Sequence, residues 1–122
     1  MNVLVVDDEV EAVNFFSVFL KRLGLNVEKA TCGKDALELF NRHKPEWVFL
    51  DIKMPDINGF DLLRKMKGID SGIKAIMISG RDDTSNKNEA RELGVSDYLI
   101  KPIDLDQMHK IIKKYIPEQE QN

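Results

Sequence analysis

The 122-residue sequence has little of several features that would point to other kinds of protein. A single cysteine, Cys32, excludes an intrachain disulfide and suits a reducing compartment. The net charge of -3 lacks the basic excess that is typical of nucleic-acid binding. No apolar run reaches the length of a membrane span, and Met1 leads into a strand pattern without a basic leader. We therefore expect a cytoplasmic protein with no direct contact to nucleic acid or membrane.

Five short apolar runs alternate with five segments of helical periodicity. Most of the runs lack polar–apolar alternation, which is typical of strands buried on both faces of a parallel sheet. The predicted strands are 3–6, 25–29, 46–51, 73–79 and 98–100, and the predicted helices are 10–23, 34–43, 59–67, 87–93 and 105–115. Each connection is long enough for a right-handed crossover. The order predicts an α/β fold with a doubly wound parallel sheet.

Polar side chains stand at the carboxyl ends of four of the five predicted strands. They are Asp7 and Asp8 directly after the first strand, Asp51 and Ser79 as the last residues of the third and fourth, and Lys101 directly after the fifth. Because the carboxyl ends of parallel strands meet at one edge, we expect these side chains to form one site. The second strand contributes none, and we expect it at the edge of the sheet. Asp8 is also placed to cap the first helix.

Carboxylates gathered at one edge would repel one another unless cations neutralise them. Lys101 supplies one positive charge, and a divalent cation that prefers oxygen ligands, such as Mg²⁺, would supply the rest. A carboxylate held between Mg²⁺ and an ammonium group can attack phosphorus and form an aspartyl phosphate. Asp51 is then the candidate nucleophile, and Ser79 and Lys101 are placed to contact the phosphoryl group.

Four motifs, taken together, resemble the receiver domain of two-component response regulators, including those of chemotaxis. They are the pair Asp7-Asp8, the sequence Leu-Asp-Ile-Lys-Met-Pro-Asp-Ile-Asn-Gly around Asp51, Ser79-Gly80, and Gly-Val-Ser-Asp-Tyr-Leu-Ile-Lys-Pro ending at Pro102. Each motif alone is weak, but their order and spacing are specific. The resemblance implies a flavodoxin-like (βα)5 fold with strand order 2-1-3-4-5. It places the receiver domain at residues 1–117, followed by a polar tail at 118–122 that either ends the protein or begins a linker.

The resemblance also implies how the site would bind metal and phosphate. Asp51 would be the residue that is phosphorylated. The implied Mg²⁺ ligands are Asp7, Asp8, Asp51 and the backbone carbonyl of Lys53. Lys101 would contact the phosphoryl group, and the peptide bond after it is commonly cis in this family. The sequence leaves that isomer open.

Three further roles come from the resemblance alone. Ser79 would be the switch hydroxyl that moves toward the phosphoryl group, and Tyr98 would change rotamer with it. Lys53 and Arg81 are basic residues two positions after Asp51 and Ser79, respectively. Side chains at these positions flank the path of the attacking water in the family. We therefore expect the basic pair to shield the phosphoryl group and slow its hydrolysis.

The partners implied by the resemblance are a sensor histidine kinase or a phosphotransfer protein, with small phosphodonors as substitutes. The response surface would comprise the last two helices and the strand between them, residues 87–115. It would control a partner protein or an output domain, and phosphorylation could produce a homodimer. An apolar contact patch there would require Ile103, Met108 and Ile112 to be exposed. The weakly apolar helix at 87–93 should be the least firmly held element.

Two other functions stay open at this point. One is an interaction module that has the receiver fold but is never phosphorylated, although the presence of all the expected functional groups counts against it. The other is a phosphohydrolase with an aspartyl nucleophile. Such enzymes usually carry Asp-x-Asp, and Lys53 occupies the place of their second acid. We therefore expect a signalling phosphoacceptor rather than a turnover enzyme.

Overall fold

The computed structural model describes residues 1–80 and 87–116. Its strands are β1 (Asn2–Val6), β2 (Asn26–Ala30), β3 (Trp47–Asp51), β4 (Lys74–Ser79) and β5 (Asp97–Ile100). Its helices are α1 (Val10–Arg22), α2 (Gly33–His43), α3 (Gly59–Ile69), α4 (Lys87–Glu92) and α5 (Leu105–Tyr115). The strands pair in parallel in the order β2-β1-β3-β4-β5, so the predicted doubly wound fold and strand order are confirmed. The predicted tail at 118–122 lies outside the described residues.

Two apolar layers enclose the sheet because successive side chains of a buried strand point to opposite faces. Leu4 and Leu50 face the layer formed with α2 and α3. Val5 and Phe49 face the layer formed with α1 and α5. All five residues of β3 are buried, which explains why its sequence shows no polar–apolar alternation until Asp51.

Two local predictions differ from the structure. A loop was expected from Gly68, but α3 continues to Ile69, because the Asp70 N–H still donates to the Met66 carbonyl at 2.8 Å. Asp8 was expected to cap α1, but Glu9 occupies the N-cap position and no side chain caps this helix. The Asp8 carboxylate is therefore not used by the helix terminus.

The implied response surface is less apolar than its sequence suggests. Met108 and Ile112 lie in the core against the sheet and only Ile103 is half-exposed, so these three residues do not form the exposed patch. Ile100 and Leu105 are exposed instead. Within α4 only Ala90 is buried, which agrees with the expectation of a weakly held helix. Across residues 1–80 and 87–116, no helix has both the length and the apolar character needed to cross a membrane.

Gly59 allows α3 to begin directly against the strand that carries Asp51. Its N–H donates to the Ile52 carbonyl at 2.8 Å. A Cβ atom added at Gly59 would lie 2.3 Å from the carbonyl oxygen of Asp51 and 2.9 Å from the Cα of Ile52. Both contacts are with backbone, which cannot move aside without displacing Asp51. Glycine is therefore required here by a close approach of two backbones.

We expect Gly59→Ala to lower the free energy of unfolding by about 1–3 kcal/mol, since it overpacks a close backbone contact. Gly68→Ala is the matched control in the same helix, because a Cβ there meets nothing within 4 Å. It should raise stability by up to about 1 kcal/mol, the usual gain from replacing glycine inside a helix. Urea denaturation measures both, and equal effects of the two substitutions would contradict the packing account.

Candidate functional site

The polar residues at the strand ends lie together at the carboxyl edge of the sheet. Asp7 follows β1, and Asp51 and Ser79 are the last residues of β3 and β4. All three are buried, while Asp8 is exposed at the rim. One carboxylate oxygen from each of Asp7, Asp8 and Asp51 lies within 4.8 Å of the others. Lys101, which follows β5, reaches the same cluster.

The Lys101 ammonium group contacts these buried carboxylates. Its Nζ lies 3.1 Å from Asp51 Oδ2, 3.2 Å from Asp7 Oδ2 and 2.7 Å from Glu9 Oε1. The contact with Glu9 was not predicted, because this residue lies just before α1 and not at the end of a strand. Its position directly after the acidic pair was the only signal that it could join the site.

Burial and mutual repulsion shift the acid–base behaviour of the cluster. Burial, together with the nearby Asp7 carboxylate, raises the pKa of Asp51 to about 7 despite the contact with Lys101. Burial also raises the pKa of Asp7, although a hydrogen bond from the Glu9 N–H opposes the change. Burial alone would lower the pKa of Lys101, but its hydrogen bonds to Glu9 and Asp51 outweigh this and raise it. One lysine therefore does not fully compensate the carboxylates.

The carboxylates fit a small divalent cation. Asp7 Oδ1 accepts the Glu9 N–H at 2.9 Å. Asp7 Oδ2 is buried and lies near Lys101, yet it accepts no hydrogen bond from the described part of the chain. Asp8 and Asp51 place further carboxylate oxygens beside it. A cluster of oxygen ligands with unmet negative charge is the donor set that Mg²⁺ prefers, and the exposed Asp8 leaves the site open to water and ligand.

An open cavity of about 390 Å³ adjoins the cluster. It is lined by Asp8, Glu9, Asp51, Ile52, Lys53, Gly80 and Lys101. Lys53 lies on the loop after β3, and its backbone N–H donates to Asp51 Oδ1 at 3.3 Å. The cavity therefore gives a ligand access to the Asp51 carboxylate between the acidic rim and the Lys101 ammonium group.

The predicted switch residues lie beside this cavity or on the strand that leads to it. The Ser79 hydroxyl donates to the Gly80 carbonyl at 3.1 Å, and the Ser79 side chain is buried. Tyr98 is half-buried on β5 and packs against the core layer beneath α3. Burial raises the pKa of Tyr98. Arg81 lies outside the described residues, so its predicted role stays a prediction from sequence.

Asp56 holds the loop after β3 in place, and the sequence indicated only a turn there. Its carboxylate accepts the Gly33 N–H at 3.0 Å and the Lys34 N–H at 3.2 Å, at the start of α2. These backbone hydrogen bonds, that from Gly33 above all, lower the pKa of Asp56. Asp56 lies in the loop after β3 and accepts from the start of a helix 23 residues earlier in the sequence, so local sequence gave no signal of the contact. It fixes the loop that carries Lys53 against α2.

The raised pKa of Asp51 predicts that the free energy of unfolding depends on pH when divalent cations are removed. The folded protein holds the Asp51 proton more tightly than the unfolded chain does. The contribution of Asp51 to stability is therefore fully present below about pH 4 and is lost as pH rises toward about 7, by about 1.4 kcal/mol for each pH unit that separates the two pKa values. Asp51→Asn should remove this loss and stabilise the protein at pH 8, measured by urea denaturation in chelator. The same pH dependence in Asp51→Asn would contradict the assignment.

The chain is similar to known signalling proteins over nearly its whole length. The family model described as the response regulator receiver domain matches residues 3–113. Sporulation initiation phosphotransferase F of Bacillus subtilis is 30% identical over 115 residues, which are 94% of this chain and 93% of that protein. The transcriptional regulatory protein ZraR of Escherichia coli is 29% identical over 114 residues, which are 93% of this chain but 26% of ZraR.

Solved structures show the same similarity. A receiver domain protein of Methanospirillum hungatei, described as CheY-like, matches with a TM-score of 0.85 and 27% identity. The match covers 93% of this chain and 90% of that one. The family model spans almost all of the described fold and all of the clustered polar residues. The chain therefore belongs to the receiver domain family of two-component response regulators.

Proposed function

We propose that Asp51 accepts a phosphoryl group at a Mg²⁺ site formed by Asp7, Asp8 and Asp51, with the Lys53 backbone carbonyl as a further ligand. The observation that carries this proposal is the meeting of one ammonium group with several carboxylates at one edge of the sheet. Lys101 Nζ lies 3.1 Å from Asp51 Oδ2, beside the open cavity. This geometry places a cation next to the oxygen that would attack phosphorus.

In the proposed transfer, a carboxylate oxygen of Asp51 attacks the phosphorus atom of the donor. A new oxygen–phosphorus bond forms, and the electron pair of the breaking bond leaves with the donor. Asp51 must be ionised to attack, and the neighbouring Lys101 ammonium favours the ionised form. Bound Mg²⁺ would supply the remaining positive charge for the carboxylates and the phosphoryl oxygens. The Lys101 ammonium group can move its contact from a carboxylate oxygen to a phosphoryl oxygen while it stays in the site.

The added phosphoryl group would change the protein through contacts that differ between the two states. Ser79 now donates to the Gly80 carbonyl, and rotation of its hydroxyl toward a phosphoryl oxygen would give up that bond. Tyr98, on the adjacent β5, would then move with it. Since α4 has only one buried residue, we expect it to be the helix most easily displaced. We propose that α4, β5 and α5 form the response surface.

The proposed phosphate source is a sensor histidine kinase or a phosphotransfer protein in the cytoplasm. The names of relatives support this, since one is a phosphotransferase of sporulation and others are transcriptional regulators. The chain spans 46% of the mycobacterial regulator TcrX and 26% of ZraR. An output domain or a partner protein, and a dimer formed on phosphorylation, are therefore candidates for the response. The domain boundary at residue 117 stays a prediction.

Incubation with acetyl phosphate and Mg²⁺ should add one phosphoryl group to the protein, read as an intact-mass shift. The adduct should be absent in chelator, because the acidic cluster then lacks its second cation. It should also be absent in Asp51→Asn, while Asp61→Asn, at an exposed carboxylate of α3, should react like wild type and serves as the control. Lys101→Met should slow the reaction strongly, since it removes the ammonium group that lies 3.1 Å from Asp51 Oδ2.

Three results would contradict the proposal. A folded wild-type protein that gains no adduct would favour an interaction module that is never phosphorylated. An adduct that persists in Asp51→Asn would place the chemistry on another residue. Continued rapid hydrolysis of excess acetyl phosphate, measured as released inorganic phosphate, would favour a turnover hydrolase instead of a signalling phosphoacceptor.

We further propose that Lys53 and Arg81 lengthen the lifetime of the phosphoaspartate. Lys53 lines the cavity beside Asp51, and Arg81 follows the switch serine by two residues. Basic side chains there would attract the phosphoryl oxygens and obstruct the approach of water. Lys53→Asn and Arg81→Ala should each shorten the lifetime, measured as the decay of the phosphorylated mass after the donor is removed. Unchanged decay in both variants would exclude shielding by this pair.

A further inference from the structure

Gln107 lies in the first turn of α5 and binds the chain on both sides of Lys101. Its Oε1 accepts the Ile100 N–H at 3.1 Å. Its Nε2 donates to the Ile100 carbonyl at 3.0 Å and to the Pro102 carbonyl at 3.2 Å. One side chain therefore makes three hydrogen bonds to the backbone of the residues that precede and follow the lysine.

The remaining backbone contact fixes Lys101 itself to the sheet. The Lys101 N–H donates to the Ser79 carbonyl at 2.8 Å. With Gln107 on one side and Ser79 on the other, the backbone at Lys101 is held from two elements. The flexible lysine side chain then starts from a defined point and reaches Asp51 Oδ2 at 3.1 Å. A change in the backbone position of Lys101 would move Nζ relative to Asp51 and Glu9 together.

These bonds are not needed for α5 to form. Asp104 already caps the helix by accepting the Gln107 N–H at 2.9 Å. The helix is anchored to the sheet by Met108, Ile111 and Ile112, which are buried. The Gln107 amide instead acts outside its own helix, on the exposed end of β5 and the turn that follows. These hydrogen bonds therefore position the turn after β5 and contribute little to the stability of α5.

We propose that Gln107 is a positioning residue for Lys101 and couples α5 to the phosphorylation site. The inference rests on the proposed function, since it assigns Lys101 to the phosphoryl group. Its consequence is regulatory: a displacement of α5 that breaks these bonds loosens Lys101 and slows phosphorylation. Because coupling is reciprocal for binding equilibria, a phosphoryl group held by Lys101 in turn favours one position of α5.

Gln107→Met tests this, because methionine has similar length and volume but lacks the amide. The rate of phosphorylation by acetyl phosphate at saturating Mg²⁺ should fall about 10-fold, as when a group that orients a functional residue is lost. Gln107→Glu keeps an acceptor for the Ile100 N–H but cannot donate to the two carbonyls, so it should also be slow. Lys110→Met is the matched control, because Lys110 is an exposed residue of the same helix. It should react at the wild-type rate.

Two further readouts separate positioning from a general structural effect. Amide hydrogen exchange at Ile100 should accelerate in Gln107→Met, while its affinity for Mg²⁺ and its midpoint of thermal unfolding stay at wild-type values. A wild-type phosphorylation rate in Gln107→Met would overturn the inference. A slow rate accompanied by a parallel loss of Mg²⁺ affinity or of global stability would also overturn it. If wild type itself gains no phosphoryl group, the proposed function fails, and this inference fails with it.

Discussion

The contact of Lys101 with the buried carboxylates of Asp7 and Asp51 is the interaction on which the rest of the site depends. Burial makes two neighbouring carboxylates costly, and a single ammonium group at 3.1–3.2 Å offsets only part of that cost. The raised pKa of Asp51 is the direct result. A site in this condition favours the arrival of more positive charge. In the proposed function that charge then attracts a phosphoryl group, so the same buried carboxylates would account for both the function and the local cost in stability.

The surrounding fold serves mainly to hold this cluster in place. Gly59 allows α3 to approach the backbone of Asp51, and Asp56 fixes the following loop to α2. Gln107 holds the turn that carries Lys101. These supports involve α3, α2 and α5, and α5 lies on the opposite face of the sheet from the other two, so movements on either face can reach the site. This arrangement would suit the proposed change of surface on phosphorylation.

Features that depend on the residues of one helix or strand could be predicted from the sequence, whereas contacts between distant elements could not. Apolar runs that end on polar residues were sufficient to predict the sheet and the meeting of Asp7, Asp51 and Lys101. The contact of Glu9 with Lys101 was missed, because it depends on where two distant loops meet. Helical spacing predicted Leu105, Met108 and Ile112 on the inward face of the last helix; Met108 and Ile112 are buried, but Leu105 is exposed, since spacing shows that a face is apolar but not how far it is covered. The comparisons establish the family, whereas the role of each site residue stays a proposal.

We propose that the negative charge of the acidic cluster is only partly neutralised until a divalent cation binds. The most direct test is a pH titration of the Asp51 side-chain carboxyl by ¹³C NMR, with Asp51→Asn used to assign the signal. In chelator its pKa should be about 7, and added Mg²⁺ should lower it clearly. A pKa near the ordinary value of 3.8 in chelator, unchanged by Mg²⁺, would show that Lys101 alone satisfies the carboxylates and would contradict the account.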